Sequence, residues 1–94
     1  MTSSQSTIAT DHASKYLQQL CKHFGHKVPV EFSMTDGKIE LPFGACELVA
    51  TPSSLTMTAT ADASNLSKLE RVMGDHLNRF AFRENLTPTW QPAA

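Results

Sequence analysis

Ninety-four residues with a net charge of −1 make one small domain with a single core. Eight Lys and Arg against nine Asp and Glu leave no concentrated basic charge to draw nucleic acid or an anionic membrane, so neither partner is expected. The apolar runs are too short to span a bilayer.

The first residues, MTSSQSTIAT, lack the basic start and apolar stretch of a secretory signal. Two cysteines without framework spacing suit a reducing compartment, and a cytoplasmic location follows as the expectation. Cys21 and Cys46 read as small buried hydrophobes. Residues 1–9, mostly Ser, Thr and Gln, read as a flexible N-terminal arm tied down at Ile8. Residues 10–94 read as a single α+β domain.

Thr10 or Asp11 can cap a first helix. Ala13, Tyr16, Leu17, Leu20, Cys21 and Phe24 then recur at the spacing of one apolar helical stripe. Lys22 and His23 fall in its last turn, where cations suit the helix dipole. Gly25 is the expected left-handed stop.

The hydrophobic period then changes to two. Val28, Val30, Phe32 and Met34 alternate with polar residues or proline, as do Ile39, Leu41 and Phe43. Asp36-Gly37 is a strong hairpin signal, which would pair Thr35 with Lys38 and Phe32 with Leu41. A second turn at Gly44-Ala45 would pair Phe43 with Cys46. In that register Pro29 and Pro42 both face the gap between the first two strands, so the open end of this hairpin should be splayed or bulged. Cys46, Leu48 and Ala50 would point inward, followed by a turn at Thr51-Pro52-Ser53-Ser54. Leu55, Met57 and Ala59 continue the inner face, with Thr56, Thr58 and Thr60 outside.

Asp62 or Ser64 can cap a second helix with the stripe Leu66, Leu69, Met73, Leu77 and Phe80, running to about Arg83. Pro88 and Pro92 prevent residues Asn85 to Ala94 from continuing it. Trp90 should pack back on its own domain. The expected fold is a two-layer αββββα sandwich, a four-stranded antiparallel sheet with both helices on its apolar face.

The candidate chemistry is sparse. Cys21 and His23 lie about 200° apart around a helix, so they cannot share one ion. His23 and His26 are separated by the break at Gly25 and would need further ligands, so no metal site is assigned. His76 sits at the edge of the second apolar stripe. Nucleophilic catalysis needs a nucleophile beside a base, and both thiols point into the core. There is no phosphate-binding glycine loop and no nucleophile elbow. No catalytic residue is assigned. Lys68, Arg71, Arg79 and Arg83 lie along the outer side of the second helix, interleaved with Glu70 and Asp75.

The segments ASKYLQQLCKHFGHKVPVEF, GKIELPFGACEL and LERVMGDHLNRFAFRENLTPTW together resemble the bacterial domain-of-unknown-function family 2218, over roughly Thr7 to Trp90. The resemblance implies an accessory role in iron, siderophore or haem metabolism, with a siderophore-interacting flavoprotein as partner. It assigns no catalytic residue and no cofactor. The positions that match its motifs and could touch a ligand are His23, His26 and His76, with Arg79 and Arg83 as anion partners. The preferred reading is a non-enzymatic binding or accessory module. One alternative is a protein-interaction module, forming a homodimer or docking through the Trp90 tail or an edge strand. The other is an enzyme using His23, His26 or His76. The distance from His76 to the end of the first helix decides whether these histidines form a site.

Overall fold

The computed structural model describes residues 1–84, 86 and 88–93. Its elements are β1 (Thr2–Ala9), α1 (Ala13–Phe24), β2 (Val30–Phe32), β3 (Asp36–Leu41), β4 (Gly44–Ala50), β5 (Ser54–Ala61), α2 (Ala63–Phe80) and β6 (Gln91–Pro92). The class is α+β with two helices, as expected. The sheet, however, is an open antiparallel one of six strands, not four, in the order β2-β3-β4-β5-β1-β6.

Both additional strands come from the chain ends. The expected loose arm over residues 1–9 is instead β1, paired along its length with β5 from Thr2↔Ala61 to Ala9↔Ser54. Its signal is weak because its inward residues, Ser4, Ser6 and Ile8, include only one large apolar side chain. Its outward residues are held by a polar ladder. Ser3 bonds Thr60 at 2.9 Å, Gln5 donates to Thr58 at 3.2 Å, and Thr7 bonds Thr56 at 3.2 Å. Of the tail read from Asn85 to Ala94, Asn85, Thr87 and Ala94 lie outside the described residues. Within that tail β6 pairs with β1 through Gln5↔Gln91, and Trp90 packs half-buried against the chain's own core.

The helical stripes emerge as read. Ala13, Tyr16, Leu17, Leu20, Cys21 and Phe24 are all buried in α1, and Leu69, Met73 and Leu77 in α2. The ends differ from expectation. α1 starts after His12 without a side-chain cap bond, because Thr10 Oγ1 is engaged elsewhere. Gly25 keeps a right-handed φ of −61°, since its N–H donates to the Cys21 carbonyl at 2.9 Å and prolongs the helical turn. α2 ends at Phe80, short of Arg83.

The hairpin registers differ from the expected ones by four residues. β2 meets β3 as Val30↔Ile39 and Phe32↔Gly37, and β3 meets β4 as Ile39↔Cys46 and Leu41↔Gly44. A slide of even length leaves every side chain on its original face, so Ile39, Cys46, Leu48 and Ala50 remain buried. Neither glycine makes a turn. A Cβ on Gly37 would stand 2.8 Å from Cys21 Sγ, and one on Gly44 would stand 2.6 Å from the Thr60 carbonyl and 3.0 Å from Leu69 Cδ2. Both glycines are needed inside strands, where helices and neighbouring backbone come close.

The turns are built from other residues. Ser33 N–H donates to the Asp36 carbonyl at 2.7 Å, and Ser33 Oγ accepts from the Thr35 and Asp36 amides at 3.3 and 3.2 Å. Pro42-Phe43 spans β3 and β4, with proline supplying the φ of the first turn position. The expected splay at Pro29 and Pro42 is therefore unnecessary. Pro42 lies in a turn, and the Pro29 carbonyl accepts from Glu40 N–H at 3.0 Å, a contact that asks nothing of the missing proline N–H.

α1 packs against β2, β3, β4 and β5, α2 packs against β1, β4 and β5, and the helices touch each other. Phe32, expected inside, is 42% exposed, because it ends a three-residue strand at the sheet edge, with a neighbouring strand on one side only. Glu40 is exposed and Leu48 is buried, in line with a sheet wetted on one side.

Two stability outcomes follow. Gly44→Ala should destabilise by roughly 1–3 kcal/mol, because the new methyl meets backbone; the readout is a lower urea midpoint at unchanged slope. Ser4 and Ser6 bury hydroxyls with no hydrogen-bond partner among the described residues. Ser6→Ala should therefore be neutral or stabilising by up to about 1 kcal/mol in the same measurement.

Candidate functional site

The last turn of α1 and the last turns of α2 meet. His76, Arg79 and Phe80 occupy positions i, i+3 and i+4 of α2 and so share a face. His23, one residue before the buried Phe24, reaches that face from α1. The ring centroids of His23 and His76 are 5.0 Å apart. Phe24 lies 4.7 Å from His76 and 5.4 Å from His23, and Phe80 lies 5.9 Å from His23. The convergence on which the histidine reading depends is therefore present.

The two rings are held differently. His76 is half-buried, and its Nδ1 lies 2.7 Å from the Val72 carbonyl one turn earlier. Because that carbonyl only accepts, Nδ1 carries a proton, and Nε2 is the nitrogen left to meet a ligand. His23 is exposed on one side and has no ring hydrogen bond among the described residues. Its pKa lies below the ordinary 6.5, first because packing against its neighbours strips water from the ring, then because His76, Arg79, Lys27 and His26 all add positive potential. No carboxylate figures among the groups acting on it.

His26 is exposed in the turn after α1 and belongs to the cluster through its charge. Arg83 does not figure among the charges on His23; its guanidinium lies over the Phe82 ring, 5.5 Å from the centroid. Lys27 and the aromatic walls Phe24 and Phe80 were not singled out by sequence reasoning. Phe24 and Phe80 read only as core, and nothing in the sequence signals that two helix ends meet there. Among the described residues no group of three or more His, Cys, Asp or Glu is arranged to hold a metal ion. Both cysteines are free and buried, with burial pushing the thiols up to about 11 at Cys21 and about 12 at Cys46. Such thiols are poor nucleophiles at neutral pH.

A second constellation anchors the site. Tyr16 Oη donates to Glu84 Oε2, and Thr10 Oγ1 donates to Glu84 Oε1 at 2.9 Å while accepting from His12 N–H at 3.1 Å. Glu84 thereby ties the chain after α2 to the start of α1. Burial and the Glu84 carboxylate push the Tyr16 phenol up to about 12. The Tyr16 hydrogen bond, with help from Thr10, His12 and Lys15, holds the Glu84 carboxyl below its ordinary 4.5 against the opposing effect of burial.

The His23 and Glu84 shifts both make acid destabilising, in separate windows. The unfolded chain protonates His23 more readily than the folded one, so stability present above pH 6.5 is lost as pH falls towards the lower folded value. The Glu84 contribution is present above pH 4.5 and is lost as pH falls below it through the depressed folded value. Urea midpoints measured against pH should show His23→Gln flattening the upper part of the acid limb and Tyr16→Phe the lower part. Unchanged curves would refute the assignment.

The chain belongs to the family described as "Uncharacterized protein conserved in bacteria (DUF2218)", whose profile matches residues 5–91. It is similar to the protein in the solved structure "NMR structure of PA4090 from Pseudomonas aeruginosa". The two share 39% sequence identity at a TM-score of 0.83, over 99% of this chain and 98% of the other. No curated protein shows a significant match to the chain. No helix is long and apolar enough to cross a membrane among the described residues.

Proposed function

We propose that this chain is a non-enzymatic accessory module of the bacterial cytoplasm that binds an anionic iron chelate, a siderophore complex or haem. The observation carrying this reading is the meeting of His23 and His76 at 5.0 Å, in a setting where the charges acting on His23 are all positive. In a chain of net charge −1 this cationic corner is a local departure from the average. It suits a negatively charged ligand, and Phe24 and Phe80 suit one with flat, apolar edges. His23, His26, His76 and Arg79 are the binding residues of this reading, with Arg83 at its margin. The iron connection comes from the family resemblance, as does the siderophore-interacting flavoprotein as the partner the module would serve.

Binding is preferred to catalysis because the histidines lack an adjacent nucleophile among the described residues, the thiols being buried. Calorimetric titration of the full chain with a ferric tris-catecholate chelate and with haem tests the proposal. A Kd below about 100 μM is expected for one of them, and Arg79→Ala should weaken it by about tenfold, or about 1.4 kcal/mol. Absence of saturable binding to either refutes it.

A second reading, a homodimer formed at the β2 edge, rests on a different feature. Phe32, Met34 and Val49 are 42%, 70% and 45% exposed around the short edge strand, beside a depression of about 550 Å³ lined by Glu31, Phe32, Lys38, Glu47 and Val49. Docking through the Trp90 tail has less support, because Trp90 is packed on its own core. Light scattering of the full chain and of Phe32→Ser decides. Two monomers of equal mass would exclude the edge.

A further inference from the structure

We infer that the two-helix histidine pair is a proton-linked oxyanion site: an anionic oxygen group seated against His23, His76 and Arg79 draws a proton from solvent onto His23, so the site fills in mild acid and empties as pH rises. The inference rests on the binding reading above and names how that site is controlled.

The geometry carries it. Two imidazole rings with centroids 5.0 Å apart repel when both are protonated, and the neighbours of His23 add to that repulsion instead of relieving it. From α1 and the turn beyond it these neighbours are His26 and Lys27, and from α2 they are His76 and Arg79. The empty site therefore disfavours the protonated form of His23. An anion changes the balance. It supplies negative charge, and the protonated ring offers it an N–H from whichever nitrogen faces it. His76 is prepared for the same task, since the Val72 carbonyl fixes its Nδ1–H and leaves Nε2 for the ligand. Linkage makes the effect reciprocal: whatever free energy the anion gives to His23 protonation, the proton returns to anion binding. Where the empty site is neutral and the filled site protonated, affinity falls about tenfold for each unit rise in pH.

Sulfate is the probe, because it stays a dianion across the histidine range and any pH dependence then belongs to the protein. Calorimetry of the full chain at about pH 5.5 and about pH 7.5 should show sulfate binding at least about tenfold tighter in acid. Repeating the titration in two buffers of different ionisation heat should show proton uptake approaching one per sulfate. His23→Gln should abolish the uptake and flatten the pH dependence, whereas His12→Gln, at the other end of α1, should retain both. NMR titration of the histidine ring protons in the unsubstituted chain gives the same answer without a variant, as a rise in the His23 pKa on adding sulfate. No sulfate binding at either pH overturns the site. Sulfate binding without proton uptake, or uptake that persists in His23→Gln, overturns the linkage. Tight, pH-independent chelate binding would leave the accessory-module reading intact while removing this one. Proton-linked sulfate binding without chelate binding would do the reverse.

Discussion

The close seating of helix on strand at Gly37 and Gly44 governs the rest of the molecule. At Gly37 the absent side chain leaves room for Cys21 and Leu17 of α1, and at Gly44 for Leu69 of α2 and the backbone of β5. These contacts set how near each helix lies to the sheet. Protein interiors are packed too densely for either helix to settle elsewhere at little cost. Because Cys21 precedes His23 by half a turn and Leu69 precedes His76 by about two, the same seating sets where the two histidines stand. The candidate site follows from how the core is packed, with no binding loop of its own.

Glu84 secures that arrangement at the start of α1. By accepting from Tyr16 and Thr10 it joins the chain leaving α2 to the chain entering α1. β1 precedes that junction, and β6, which follows it, pairs back onto β1. The first and last strands are thus neighbours, and polar residues that look like loose ends become part of one sheet. Their stabilisation is mainly backbone pairing and a row of hydroxyl contacts, with Ile8 as the main apolar anchor of β1.

Electrostatics distinguish the two constellations. Around Glu84 a carboxylate is surrounded by donors and its charge is answered. Around His23 the charges acting on the ring are all cationic. A folded protein spends stability to keep such a corner, and charge of one sign that converges from separate elements is a reason to look for an external ligand. The protein of the PA4090 structure shares the fold over nearly its whole length.

Composition, period and spacing alone determined the two helices and their buried faces, along with the inward and outward sets of β3, β4 and β5. These are properties of local periodicity, which a residue's near neighbours impose. Even the four-residue slide of the hairpins kept the predicted faces, because any even shift does. Register, strand number and site required the tertiary structure. Asp36-Gly37 and Gly44-Ala45 carry turn signals, yet which glycine turns the chain and which admits a helix depends on what packs above it. β1 was illegible because Ser4 and Ser6 carry no apolar signal and the strand exists through pairing with β5, distant in the chain. The approach of His23 to His76 was hidden for the same reason: no local pattern encodes where two helix ends will cross.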